Sequence, residues 1–223
     1  MNLLIYGAGG LGREVVGLVL SQPKANELYD DIFFVDDNPN INCVIEKKVF
    51  RFDELGKHDI SPDNSVFLIA MGEPILREKI YEKVRKRDYS FETIVSNSSM
   101  VGERSSIKPG CIISNNGQIS CDVEIGENTL IQGAAMIGHD CVIGANCVIS
   151  SYSFLGGDTH VDQGCYIAPG AMIKQGITIG NNSIIGMGAV VTRNVPSHTV
   201  VYDKPPKMFK FDENVSVFDM FGK

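Results

Sequence analysis

The sequence predicts a small α/β domain with a parallel sheet, followed by a parallel β-solenoid that fills most of the rest of the chain. Three observations carry this: an aliphatic residue at every sixth position from Val95 to Val191, a strand, glycine loop and helix at the amino end, and the loss of periodicity after Pro196. The expected divisions are residues 1–94, 95–196 and a tail of 197–223.

The solenoid comes from the period. Seventeen consecutive hexads begin on Ile, Leu or Val, including Val95, Ile113, Ile137, Leu155, Ile173 and Val191. A six-residue period fits neither an amphipathic helix at 3.6 nor a meander of longer strands. It fits a short strand and a corner, repeated and stacked. With three hexads per triangular coil, residues eighteen apart stack at about 4.8 Å and the anchors form inward aliphatic columns.

Four residues after an anchor stands a small residue, as at Cys111, Thr129, Ala135, Cys141, Cys147 and Cys165. A narrow prism leaves no room there for more. Glycine often follows the anchor, and pairs such as Asn115-Asn116 and Asn181-Asn182 suit corners where φ turns positive.

The amino-terminal domain follows from its own punctuation. Asn2 to Tyr6 reads as a buried strand, Gly7-Ala8-Gly9-Gly10-Leu11-Gly12 as a tight loop, and Arg13 to Ser21 as a helix. Such a loop lets phosphate approach bare backbone at the free N–H groups of a helix start. A second strand, Asp31 to Val35, ends on Asp36-Asp37, where a dinucleotide-binding fold would present an acid to a ribose. A third, Ser65 to Ala70, leads through Gly72 to a helix from Pro74 to about Lys86. The domain is too short to hold both a nicotinamide cofactor and a catalytic half, so a dehydrogenase is excluded on size.

Composition narrows the partners. The 223 residues carry a net charge of −7, with 43% hydrophobic residues and no Trp. No basic stripe offers a surface to nucleic acid or to an anionic membrane. There is no signal-peptide pattern and no eighteen-residue apolar run, so a cytoplasmic protein is expected. Cys111, Cys141, Cys147 and Cys165 share the small slot of the hexad, which makes them packing residues rather than metal ligands, and no metal is expected. Cys43 and Cys121 have no partner pattern.

Taken together, Tyr6-Gly7-Ala8-Gly9-Gly10, Val35-Asp36-Asp37, Ile69-Ala70-Met71-Gly72, the hexads, and Ile137-Gly138-His139-Asp140-Cys141-Val142-Ile143-Gly144 resemble hexapeptide-repeat acyltransferases of the sialic acid O-acetyltransferase type. Within that family the likeness is greatest to bacterial nucleotide-sugar 4-amino N-acetyltransferases of the bacillosamine and perosamine pathways. It spans residues 1–208.

The resemblance implies a left-handed β-helix, a homotrimer, and acetyl-CoA as co-substrate in the groove between prisms. It implies His139 as general base, Asp140 as its support and the Gly157 amide on the acetyl carbonyl. Imidazole suits the role because an ammonium must lose a proton before its nitrogen can attack a thioester. The nucleotide sugar would lie at Gly9, Gly10 and Leu11, with Asp36 and Asp37 near base or ribose and Gly72 at the pocket floor. Further coenzyme contacts would fall on Val148, Pro169 and Met187. The sequence departs from the pattern at Val148, where some relatives carry a second histidine, and at Asp203-Lys204-Pro205-Pro206-Lys207, where the family has Gly-Val-Pro-Ala-Lys. His58, His160 and His198 lack a comparable partner and read as surface or structural residues.

The expected activity is therefore acetyl-CoA-dependent N-acetylation of the 4-amino group of a nucleotide-linked 4-amino-4,6-dideoxy sugar. O-acetylation of sialic acid or a related sugar on the same fold is one alternative. A non-catalytic solenoid scaffold is the other.

Overall fold

The computed structural model describes residues 1–23 and 25–203. The tail with Pro205-Pro206 and its phenylalanines, and the turn through Lys207, lie outside the described residues.

In chain order the first domain holds β1 (Asn2–Tyr6), α1 (Gly10–Leu20), α2 (Ala25–Leu28), β2 (Ile32–Val35), β3 (Cys43–Val44), β4 (Lys47–Phe50), a 3₁₀ helix (Phe52–His58), β5 (Ser65–Ile69), α3 (Pro74–Arg85) and β6 (Ser90–Phe91). The sheet order is β3-β4-β2-β1-β5-β6, with β1 between β2 and β5. All pairs are parallel except β3 with β4. The chain therefore switches direction across β1, and the crevice at the carboxyl ends of β1 and β5 is where such sheets bind ligands.

Two features differ from the sequence expectation. Helix α1 begins at Gly10 rather than Arg13, so Gly10 and Leu11 belong to its first turn. The β3–β4 hairpin was not expected, because its turn residues Ile45 and Glu46 take φ of 43° and 62° without the glycine that usually marks such a turn.

From Ile94–Val95 onward the chain winds as two-residue strands. Each pairs in parallel with a strand eighteen residues on, as Ile112 with Leu130, Ile119 with Ile137 and Ile125 with Ile143. Three sheets result, one per side of a triangular left-handed β-helix. The first face begins at Ile94, the second at Met100 and the third at Ser106. The final turn is shorter, with Ile184 paired to Val200 and Ile179 to Val195.

The anchors fill the axis as expected, and Ile113, Ile131, Ile149, Ile167 and Ile185 are fully buried. The first anchor of each face is the exception, with Val95 and Ile107 only partly buried and Val101 38% exposed, since no coil lies beneath them at the open amino end of the prism.

The small slot selects for more than size. Cys111, Cys141, Cys147 and Cys165 each turn a thiol toward a carbonyl fifteen residues on, at 3.1–3.2 Å. Thr129 and Ser105 do the same with hydroxyls at 2.9 and 2.8 Å. A small side chain that can also donate satisfies a corner carbonyl of the next coil. Burial pushes the Cys111 thiol up to about 11, as befits a packing thiol.

The two domains share one core. Val15, Val16, Leu18 and Val19 of α1 pack on the outward residues of the first face, Ile94, Ile112, Leu130 and Val148. Beside this seam Arg77 of α3 is fully buried. Its guanidinium donates to the carbonyls of Ile69 and Asn128, and at 3.3 Å to those of Met71 and Gly110. Two of these acceptors belong to the sheet domain and two to the prism. Burial lowers Arg77 to about 10, which still leaves it charged at neutral pH. No helix among the described residues is long and apolar enough to cross a membrane.

Removing this donor strands several buried carbonyls. Arg77→Met is expected to cost about 3 kcal/mol or more in chemical denaturation. Arg77→Lys should restore only part of this, because an ammonium cannot fan out as the guanidinium does. An unchanged midpoint in Arg77→Met would contradict the clamp.

Candidate active site

Each prism corner joins two anchors through the same backbone path. The third residue after an anchor takes positive φ at nearly every corner, including Asn116, Asp122, Asp140, Asn146 and Asp158. Asn and Asp tolerate that conformation better than most side chains. Asp140 thus has a conformational reason to be acidic, and a chemical one beside it.

His139 precedes Asp140 on the corner between the second and third faces. Its Nδ1 lies 2.6 Å from Asp140 Oδ2. With the Nδ1 proton donated to that carboxylate, Nε2 is left as the acceptor. The ring rests on Gly157, eighteen residues on, and a Cβ built there would stand 2.6 Å from His139 Nε2. The two coils are tied by Asp158 N–H donating to the His139 carbonyl at 2.8 Å. The Gly157 N–H has no acceptor among the described residues. A base with a free ring nitrogen therefore lies beside a residue whose backbone N–H has no acceptor among the described residues. That pairing suits removal of a proton from a nucleophile attacking a carbonyl.

Acids surround the histidine along this vertex. Asp122 is held at 2.6 Å by Arg104, whose hydrogen bond keeps its carboxyl below the ordinary range. Asp158 lies 3.7 Å from His160 Nε2, so His160 has an acidic neighbour that the sequence did not reveal. His58 instead stacks on Phe50, ring centroids 4.6 Å apart.

The second candidate region is the crevice at β1 and β5. Gly7 takes φ of 109°, and a Cβ there would meet the Ala70 carbonyl oxygen at 2.8 Å; one at Gly12 would meet the Gly7 carbonyl oxygen at 2.0 Å. Packing explains both. It does not explain Gly9 and Gly10, where a Cβ would meet nothing within 4 Å and only the tip of Arg13 at 4.0 Å, respectively. Helix α1 also lacks a side-chain cap, whereas Glu73 caps α3 by accepting from Ile75 N–H and Leu76 N–H at 3.1 and 2.6 Å. Of the two helix starts here, α1 is the one left open to an anion. Gly72 faces Leu11 across the crevice.

Asp36 and Asp37 serve different ends. Asp36 accepts from Ala8 N–H and Asn38 N–H, both at 3.0 Å, and so fixes the glycine loop. Asp37 accepts from Tyr6 Oη–H at 2.6 Å and Lys83 Nζ at 2.7 Å. Burial works against its ionised form, yet the hydrogen bonds from Lys83 and Tyr6 hold it below the ordinary carboxylate range. Burial, then that carboxylate, push the Tyr6 phenol up.

The remaining expected contacts divide. Met187 is 75% exposed and Pro169 half-buried, both on the corner between the first and second faces. Val148 is 1% exposed and packed in the interdomain core. It has no surface to offer a coenzyme, which corrects that expectation: an outward position on the first face is covered by the sheet domain.

Comparison with known proteins agrees with this architecture. Residues 2–84 match the PglD N-terminal domain, and residues 122–157 and 158–193 match the bacterial transferase hexapeptide family of six repeats. The acetyltransferase domain of PglB from Neisseria gonorrhoeae FA1090 has the same fold, at 24% identity and a TM-score of 0.83 over 93% of this chain and 99% of that one. A histidine-to-asparagine variant of perosamine N-acetyltransferase from Caulobacter crescentus, solved with CoA and GDP-perosamine, is 25% identical, with a TM-score of 0.81 over 90% and 92%. WeeI from Acinetobacter baumannii AYE is 25% identical, with a TM-score of 0.81 over 94% and 100%. No curated protein matches the chain by sequence.

The seat of the histidine gives a direct test. In Gly157→Ala the new methyl should push the imidazole aside, seen as a changed His139 ring signal in NMR, with little change in thermal midpoint because the ring is half exposed. In Gly138→Ala the methyl would meet the Gly157 backbone nitrogen at 2.4 Å, so that variant should lose stability instead. The reverse pattern would contradict the stacking described.

Proposed function

We propose that this chain, a hexapeptide transferase with a PglD-type amino-terminal domain, transfers acetyl from acetyl-CoA to the amino group of a nucleotide-linked amino sugar. The observation that carries the reading is His139, held by Asp140 through Nδ1 and seated with Nε2 over Gly157. Its sharpest form is acetylation of the 4-amino group of a 4-amino-4,6-dideoxy sugar. The relative solved with CoA and GDP-perosamine supports that form.

The geometry supports the following roles. The acceptor arrives as an ammonium and loses one proton to water. His139 Nε2 takes a second proton from the nitrogen as it attacks the thioester carbon. The Gly157 N–H donates to the carbonyl oxygen as negative charge grows there. The carbon–sulfur bond then breaks, and the proton on Nε2 passes to the departing thiolate. Asp140 and Asp158 favour a cationic acceptor at this corner and disfavour an anionic one such as sialic acid, which weighs for the amine over the hydroxyl. The uncapped start of α1, with Gly9, Gly10 and Leu11, would take the phosphates of the nucleotide, and Asp36, Asp37 and Gly72 would border the rest of it.

One chain does not bring these parts together. The sheet domain covers the first face, and His139 stands on the vertex opposite that face. The second face, beside that vertex, carries an exposed stripe of Met100, Gln118, Met136, Phe154, Met172 and Val190, apolar at every position but Gln118. Such a stripe suits a protomer interface. We therefore read the enzyme as a homotrimer in which one protomer's crevice serves a neighbour's histidine.

His139→Ala should slow thiol release from acetyl-CoA by roughly 10²–10⁴-fold with fold and coenzyme binding retained; near-normal turnover would sink the base assignment. The shared site has its own test. Gly10→Asp should block the crevice, and His139→Ala the chemistry. Co-expressed, the two inactive variants should regain turnover in mixed trimers, while silence in proven mixed trimers would place both halves within one chain.

A further inference from the structure

The sheet domain covers only the first part of the first face. The outward residues of that face form one apolar column, in which Ile94, Ile112, Leu130 and Val148 are buried against α1. The column continues as Tyr166, Ile184 and Val200, each in register with the one before. Tyr166 is half-buried, but Ile184 and Val200 are 44% and 58% exposed. Ile75, in the first turn of α3, is 69% exposed. With Pro74, Tyr166 and Ile184 it lines a hollow of about 430 Å³, which reaches Gly72 at the crevice.

The chain itself supplies an occupant. The last strand among the described residues, Val200–Val201, pairs with Ile184–Ile185 on this face, so residues 204–223 set out from beside the hollow. Pro205 and Pro206 lack the N–H groups that a further coil would need. Beyond them, in Lys207-Met208-Phe209-Lys210-Phe211, the two rings are spaced to fall on one side of an extended chain, with Lys210 on the other. Reach is ample: at about 3.3 Å per residue Phe209 can lie about 20 Å from Asp203, and Tyr166 is only two coils, about 10 Å, from Val200. Glu73 also lines the hollow, which suits the lysines flanking the rings. Residues 209–223 fall beyond the family resemblance, which ends at residue 208, so no site implied by it accounts for them. We infer that this segment folds back over its own first face and seats Phe209 and Phe211 in the hollow, extending the interdomain core and bordering the crevice at Gly72. The inference does not rest on the acetyl-transfer reading.

The chain has no Trp, so Ile75→Trp in the full chain gives a fluorescence signal from the hollow alone. With the segment seated, its emission should be blue-shifted and poorly quenched by acrylamide. Adding Phe209→Ser and Phe211→Ser should shift the emission to the red and strengthen quenching, whereas Ile45→Trp, on the β3–β4 hairpin, should not respond to the two serines. Chains carrying Ile75→Trp and both serines are then co-assembled with an excess of wild-type chains, and emission that stays red places the segment on its own chain. Return of the blue emission would assign the hollow to a neighbouring protomer's tail. An indole buried whether or not the serines are present would assign it to another surface, and an indole exposed in the otherwise wild-type chain would leave it to solvent. Each of these three results, or an equal response at Ile45→Trp, would overturn the proposal.

Discussion

The close approach of one coil to the next governs this molecule. After an anchor the chain passes so near the following coil that a Cβ at Gly126, Gly138, Gly144 or Gly156 would stand 2.4–2.5 Å from a backbone nitrogen there. Such contact leaves no room for an insertion in either coil, and it holds every corner in an eighteen-residue register. A catalytic loop, which most enzymes add to a scaffold, is absent among the described residues of the prism. Chemistry must then come from side chains of the corners themselves. The same register that stacks aliphatic columns inside sets His139 on Gly157 outside.

The sheet domain is fixed to this rod by two different forces. A broad apolar seam supplies area, and the buried Arg77 supplies geometry by binding carbonyls on both sides. A domain held this way is not free to swing its glycine loop around the prism. That rigidity makes the distance between the crevice and His139 meaningful, and it is why the proposed site is shared between protomers.

Much of this was legible in the sequence because a strict period overrides local ambiguity. The hexads gave the coil length, and the glycine loop gave the first strand to the residue and the helix to within three residues at its start. Other features left no local signal. The β3–β4 hairpin turns on Ile45 and Glu46, which carry no turn signature. Arg77 reads as an ordinary surface residue of an amphipathic helix, and only the docking of two domains shows it to be buried. Val148 was misplaced for the same reason, since which prism face is covered is a tertiary fact. The donor role of the small slot was visible as a recurrence of Ser, Thr and Cys, yet size alone seemed to explain it. The corner glycines held the opposite lesson: positive φ belongs to the third residue after the anchor, and the glycine just after it answers to the neighbouring coil.

The central claim is that this corner acetylates an amine carried by a nucleotide-linked sugar. The most direct measurement is free thiol release from acetyl-CoA across a panel of nucleotide-linked amino sugars, their hydroxyl counterparts and free sialic acid. Release with one or more of the amino sugars, and none with the hydroxyl compounds or sialic acid, is the predicted result. Release confined to hydroxyl acceptors, or with no member of the panel, would contradict it.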